Sequence, residues 1–220
     1  MGSPESEDLP VAPTPNPSRK EDSLLKRLAC IAAVALVVPA FASAATVKVR
    51  VEGKTRNLFG PTEVTVTASN ALEALQQASL LGELYFHITT SSFGNYVDQV
   101  GRYGGSASAG WVFKVDNASP PVGADQVTLS DGDTVLWYYA DFGPTGGPPT
   151  LQVKAATNGC YTATAYDDAG KSTTVTGLTW HVGSKKSAPG STGTAYCPGR
   201  HLGLLVRATA TGAVRSNAVK

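Results

Sequence analysis

The sequence predicts a mainly β chain: an α+β unit with one helix, followed by a smaller unit of strands alone. Three observations carry that prediction. Gly110–Tyr139 reads as three short strands separated by turn residues, the first of which, Trp111–Val115, is aromatic and β-branched and alternates on a period of two. Only one segment, opening at Asn70, has the spacing of a soluble amphipathic helix. Beyond Gly143 the strand pattern continues with no helical period.

The N-terminus is read apart from the fold. Residues 1–27 are Pro-bearing and acidic ahead of a basic flank, and read as a disordered leader. Leu28–Phe41 is an apolar run after Lys26-Arg27 and before Ala42-Ser43-Ala44. A basic flank, a short apolar run and an A-x-A site describe a secretory signal over residues 28–44, cleaved between Ala44 and Ala45. The competing reading is a membrane anchor. The run is short against the roughly 20 residues a span requires, and Pro39 interrupts it. The expectation is a protein secreted or held on the outer cell surface, with no transmembrane segment after signal removal.

The first unit is placed at 45–142. Thr46–Glu52 alternates valine with polar residues, as a half-buried strand does. Residues 53–56 turn, 57–61 loop, and Glu63–Thr67 resumes the alternation, making a hairpin. Asn70 supplies a helix cap with Glu73 three residues on, while Ala71, Leu72, Leu75 and Ala78 share a face. Gly82 is expected to end the helix as the residue after the C-cap. Leu84–Thr90 places Leu84, Phe86 and Ile88 on one side, and Phe93–Val100 opens the next turn and strand. Trp111–Val115, Gln126–Leu129 and Thr134–Tyr139 are three further strands. Asp116-Asn117 tolerates left-handed geometry between the first two, and Ser130–Asp133 reverses the chain between the others. A hairpin followed by one helix that covers a sheet is the opening of a β-grasp.

GWVFKVDN, then VGADQ, then LSDGDTVLWYY resembles the domain of unknown function related to the C-terminal β-domain of transcobalamin and intrinsic factor. The resemblance covers about Thr46–Phe142. It implies a β-grasp-like α+β domain of the ligand-binding group and a corrinoid-like small molecule as ligand. In the cobalamin carriers a helical barrel supplies the other half of the site, and this sequence has no such barrel.

Residues 143–150 are a Gly/Pro linker. Residues 151–220 read as strand after strand, at Leu151–Ala155, Cys160–Tyr166, Thr173–Thr176, Leu178–Val182, Gly193–Cys197 and Leu204–Thr211, making a small antiparallel β-sandwich. Leu178, Trp180 and Val182 are expected to face inward. Signal removal leaves only Cys160 and Cys197, an even pair for which a disulfide is the default in an exported chain. VTGLTWHVGSKKSAPGSTGTAYCPGR and VRATATGAVRSNAV resemble the bacterial immunoglobulin-like and carboxypeptidase-regulatory-like modules, which implies a transthyretin-like sandwich.

No G-x-S-x-G elbow, H-E-x-x-H or phosphate-cradling loop occurs, and His87, His181 and His201 read as structural. Asp131 and Asp133 fit turn chemistry better than a carboxylate pair or a calcium site. The expectation is therefore no enzyme, no catalytic residue, no cofactor and no metal ligand set. Formal net charge is +1, which makes no case for nucleic acid. Charge is divided, however: Ala45–Thr145 holds six Lys+Arg against ten Asp+Glu (net −4) and Gly146–Lys220 eight against two (net +6). The basic half suits an anionic envelope polymer. Phe93, Tyr96, Tyr103 and Trp111 gather near loops as candidate ligand-binding aromatics, with core packing as the competing reading, strongest at Trp111. The function expected is a non-catalytic secreted or surface module that binds a small molecule. The alternative is a structural or adhesive envelope module without one.

Overall fold

Among the residues described by a computed structural model, fourteen strands and one long helix follow from these signals. It describes residues 43–91, 94–144, 146–186, 194–198 and 203–220. The leader, the signal run, Phe93 and His201 lie outside the described residues.

The first half contains β1 (Ala45–Glu52), β2 (Asn57–Ala68), α1 (Ala71–Gly82), β3 (Phe86–Ser91), β4 (Gly94–Val100), β5 (Tyr103–Gly104), β6 (Ala109–Val115) and β7 (Thr134–Asp141). One sheet has the order β2-β1-β7-β6, with β1 parallel to β7 and the other pairs antiparallel. A second sheet has the order β3-β4-β5. Helix α1 buries Ala71, Leu72, Ala74, Leu75 and Ala78, and they share one core with Val47, Val49, Val51, Val135 and Trp137. Asn70 caps the helix by accepting from the Glu73 N–H at 2.8 Å. The Glu73 carboxylate reaches back to the Ser69 N–H at 2.7 Å, so the reciprocal box forms one residue earlier than expected.

Three expectations are corrected. Residues 57–61 are strand: β2 is continuous, and its irregularity is a bulge that sets Val49 opposite Val64 and Val51 opposite Phe59. Gln126–Leu129 is no strand; it makes one bridge, Thr128 with Asn70, and Leu129 donates to the Ser69 carbonyl at 3.0 Å. Both edges of β7 are already taken, by β1 and β6, so this segment cannot pair with β7 as the other half of a hairpin. The left-handed residue after α1 is Glu83, at φ 50°, rather than Gly82. Gly82 answers a different need: a Cβ there would lie 2.6 Å from the Phe59 ring.

The second half contains β8 (Thr150–Ala155), β9 (Tyr161–Tyr166), β10 (Ser172–Thr173), β11 (Thr179–Val182), β12 (Lys185–Lys186), β13 (Ala195–Tyr196) and β14 (Val206–Thr209). Strand β9 pairs with β8 along its length and with β10 and β13 near its ends, while β11 lies between β12 and β14. The two sheets enclose Leu151, Val153, Tyr161, Ala163, Trp180, Val206 and Ala208. Leu178 and Val182 pack onto that core, and Trp180 stacks on Tyr196 at 5.4 Å. Cys160 and Cys197 form a disulfide, closing a separation of 37 residues.

The far face of the first sheet is covered too. Leu136, Tyr138 and Ala140 alternate with the residues that face α1, and they cluster with Val112 and Val214. Charged groups are buried beside them. The Glu52 carboxylate accepts from Arg50 Nη1 (3.0 Å), Asn57 Nδ2 (2.9 Å) and Arg215 Nε (3.0 Å). Lys114, fully buried, donates to the Asp167 carbonyl (2.6 Å) and the Tyr166 carbonyl (3.2 Å) and lies 3.4 Å from Asp168 Oδ1. Burial pushes its ammonium below the usual lysine range, and Asp168 beside it acts in the opposite sense. The described residues group as one compact unit. No helix among the described residues is long and apolar enough to cross a membrane.

Candidate functional site

Strand β6 is the last strand of its sheet, and β4 lies across from it in the other. Between them runs a groove with two cavities. The larger, about 620 Å³, is lined by Tyr96, Asp98, Gln99, Gly110, Trp111 and Phe142 among others. The smaller, about 230 Å³, reaches down to Leu72, Phe113, Pro120, Ala124 and Trp137. Tyr96, Val97 and Trp111 line both. The larger volume lies in the range typical of small-ligand sites.

The groove carries exposed apolar surface at its rim. Tyr96 is 52% and Phe142 46% exposed, against 8% for Trp111. Trp111 is fixed by its indole N–H, which donates to the Tyr103 carbonyl at 2.8 Å, and by edge-on contact with the Tyr139 ring at 5.8 Å. It forms the wall, and Tyr96 stands half-exposed across from it. Tyr103 looks away from this groove. Its hydroxyl meets Thr55 Oγ1 (2.8 Å) and Arg102 Nη2 (3.2 Å), and its ring packs against Tyr139. The Thr55 hydrogen bond, with Arg102 acting in the same direction, holds its phenol below the usual range. So the structure brings Tyr96 and Trp111 together and sets Tyr103 behind Trp111 as its support, while Phe93 falls outside the described residues. Of the two predicted cleavage-site residues that are described, Ala44 is exposed and Ala45 is the buried first residue of β1.

The polar side of the groove belongs to β4. Asp98 accepts from Thr89 Oγ1 at 2.6 Å and meets His87 Nδ1 at 2.7 Å. The Thr89 hydrogen bond holds this carboxyl below the usual range; partial burial opposes that, and His87 adds to it. Beyond the smaller cavity, Asn95 Nδ2 donates to Asp125 Oδ2 at 3.1 Å, while Asp125 Oδ1 is buried without a hydrogen-bond partner among the described residues. Asp98, Phe113 and Phe142 were not among the expected site residues. Their sequence signals were ordinary strand alternation and a strand end, which do not distinguish a groove from a core.

The other candidates for chemistry are occupied. Asp131 Oδ1 accepts from the Thr46 N–H (2.6 Å) and Asp133 Oδ2 from the Ser130 N–H (2.8 Å), so both serve the turn around Gly132 at φ 92°. His181 Nε2 lies 3.0 Å from Thr209 Oγ1. Among the described residues no three His, Cys, Asp or Glu side chains come together as a metal site would require.

Residues 67–141 match the family model described as Domain of unknown function (DUF4430), from the end of β2 to the end of β7. That segment includes α1, β4 and β6, hence both walls of the groove. The chain is also similar to a crystal structure of a proposed metal binding protein from Ruminococcus gnavus, at 17% identity and a TM-score of 0.35. The similarity spans 45% of this chain and 99% of that one, and at that score it carries no argument about the site. No curated protein matches the sequence.

Proposed function

We propose that this chain is an exported, non-catalytic binding module whose ligand is held in the groove between β4 and β6. The observation that carries the reading is the pair of adjoining cavities that share Tyr96 and Trp111, one face rigidly held and the other exposed. Apolar walls with a few fixed polar groups suit a small organic ligand. The disulfide and the signal-like N-terminus support placement outside the cytosol. The resemblance to transcobalamin-type β-domains makes corrinoids one ligand class to try, and the groove offers such a ligand an open cleft rather than an enclosure.

Thermal unfolding of the purified protein with a panel of small metabolites and cobalamin tests this. A ligand at about a hundred times its dissociation constant raises stability by about 2.7 kcal/mol. The expected result is a shift for at least one compound that Tyr96→Ala removes without lowering the unliganded midpoint. Absence of any shift across the panel, with firm retention on purified envelopes, would favour the structural or adhesive reading.

A further inference from the structure

We propose that the groove takes a short extended peptide carrying a basic residue, paired as an added strand on the outer edge of β6. This rests on the groove being the binding site and goes further by naming the ligand class.

The hydrogen-bond parity of β6 carries the argument. The Asp116 N–H donates to the Thr134 carbonyl and the Phe142 N–H to the Ser108 carbonyl, so even-numbered residues of this strand face β7. Odd-numbered residues face outward: the Ala109 carbonyl accepts from the Ser106 N–H, and Val115 exchanges two bonds with Ala118. The β6–β7 register runs from Ala109↔Asp141 to Val115↔Val135 without a shift, so the same parity holds between those ends. The backbone N–H and C=O groups of Trp111 and Phe113 therefore point into the groove, and no described residue pairs with them. Each end of the free edge is closed, at Ala109 and at Val115. The open stretch matches about three residues of added strand, roughly 10 Å.

An open strand edge invites pairing with any other sheet, and proteins normally block it. Here β4 stands across the edge, so the groove shields it from a second sheet and leaves room for a slimmer chain. Main-chain pairing would supply affinity and alternate side chains the selectivity. One side chain would enter the apolar cavity between Leu72, Phe113 and Trp137. Charge selects the other: among the described residues no Lys or Arg lines either cavity, and the Asp98 carboxylate lines the larger one. A lysine or arginine of the peptide satisfies this arrangement and a glutamate does not.

The test uses the ¹⁵N-labelled protein and a pool of acetylated pentapeptides with lysine at one end and valine, leucine or phenylalanine between. The expected result is at least tenfold slower amide hydrogen exchange at Trp111 and Phe113. The effect should be lost when the peptides are N-methylated and weakened at least tenfold when glutamate replaces lysine. Asp98→Asn provides the control in the protein. It keeps the shape of the side chain and its acceptor for Thr89 while removing the charge, so lysine and glutamate peptides should then protect the two amides about equally, and an undiminished lysine preference would overturn the charge selection. Unprotected Trp111 and Phe113 amides at millimolar peptide, or equal binding of N-methylated peptides, would overturn the proposal. If the amides stay unprotected while a metabolite still shifts the midpoint and Tyr96→Ala removes that shift, the small-molecule reading stands and the peptide falls. If neither class acts, both fall.

Discussion

Glu52 is the residue on which the two halves of the described chain depend most directly. Its carboxylate is 2% exposed and accepts from three donors, one of them Arg215 from 163 residues away. Removing one partner of a buried ionic group costs about 3–5 kcal/mol, because the remaining charge is left without compensation. Glu52→Gln should therefore lower stability by about that much in urea unfolding at neutral pH. Replacing Arg50, Glu52 and Arg215 together by methionine should cost less than the single change, since no member of the cluster is then left as a charge without its partner. Glu73 gives a pH dependence of known sign. Hydrogen bonds from Ser69 hold its carboxyl below the ordinary value of 4.5. A depressed carboxyl pKa contributes stability that is complete above the unfolded value and is lost as pH falls through the folded one. Acidification from pH 7 to pH 3 should thus destabilise the wild type more than Glu73→Gln, in which that part of the acid loss is absent. The sequence showed this cap because Asn70 and Glu73 are three positions apart, and such local spacing survives in a linear reading. It gave no sign that Lys114 is fully buried: in Trp-Val-Phe-Lys-Val a lysine reads as the solvent side of a strand, and only the carbonyls of Tyr166 and Asp167 explain its place.

At the scale of elements, α1 and β2 are fitted to one another through a glycine. Gly82→Ala would gain about 1 kcal/mol from helix propensity alone. The added methyl would sit 2.6 Å from the Phe59 ring, and overpacking of this kind costs about 1–3 kcal/mol. The clash should prevail, giving a net loss in thermal unfolding that Phe59→Leu partly restores by making room. A substitution that stabilises instead would show that Phe59 moves aside freely. The existence of α1 and of most strands was legible because each has its own period. The order of strands was not. That β7 lies between β1 and β6 determines that Gln126–Leu129 stays outside the sheet, and that β6 has a free edge beside β4. Both follow from pairings between residues far apart in the chain. The groove shares that origin: Tyr96 and Trp111 were visible as aromatics, but their meeting across two sheets was not. One legible signal pointed to the covered far face of β7, the unbroken apolar run Val135–Ala140, because a strand with one wet face alternates.

At the scale of the whole molecule, the disulfide tests how far the two halves stand or fall together. It joins Cys160 and Cys197 in the second half, and opening a loop of 37 residues costs about 4 kcal/mol in the chain-entropy model. Were the halves independent, that loss would appear only in the second core. The contacts argue otherwise. Val214 packs on Leu136, Tyr138 and Ala140, the Ala218 N–H donates to the Pro61 carbonyl in the β2 bulge at 2.6 Å, Lys114 has its hydrogen-bond partners across the boundary, and Glu52 takes one of its three donors from there. Losing the second half would expose that apolar face, leave Lys114 without its partners and take one donor from Glu52. Cys160→Ser with Cys197→Ser should therefore move a single calorimetric transition downward. It should also raise amide exchange at Val47 and Val49, in the core of the first half, as much as at Val153 in the second. Exchange that rises at Val153 and leaves β1 unchanged would mean that the first half, with its groove, holds its structure alone.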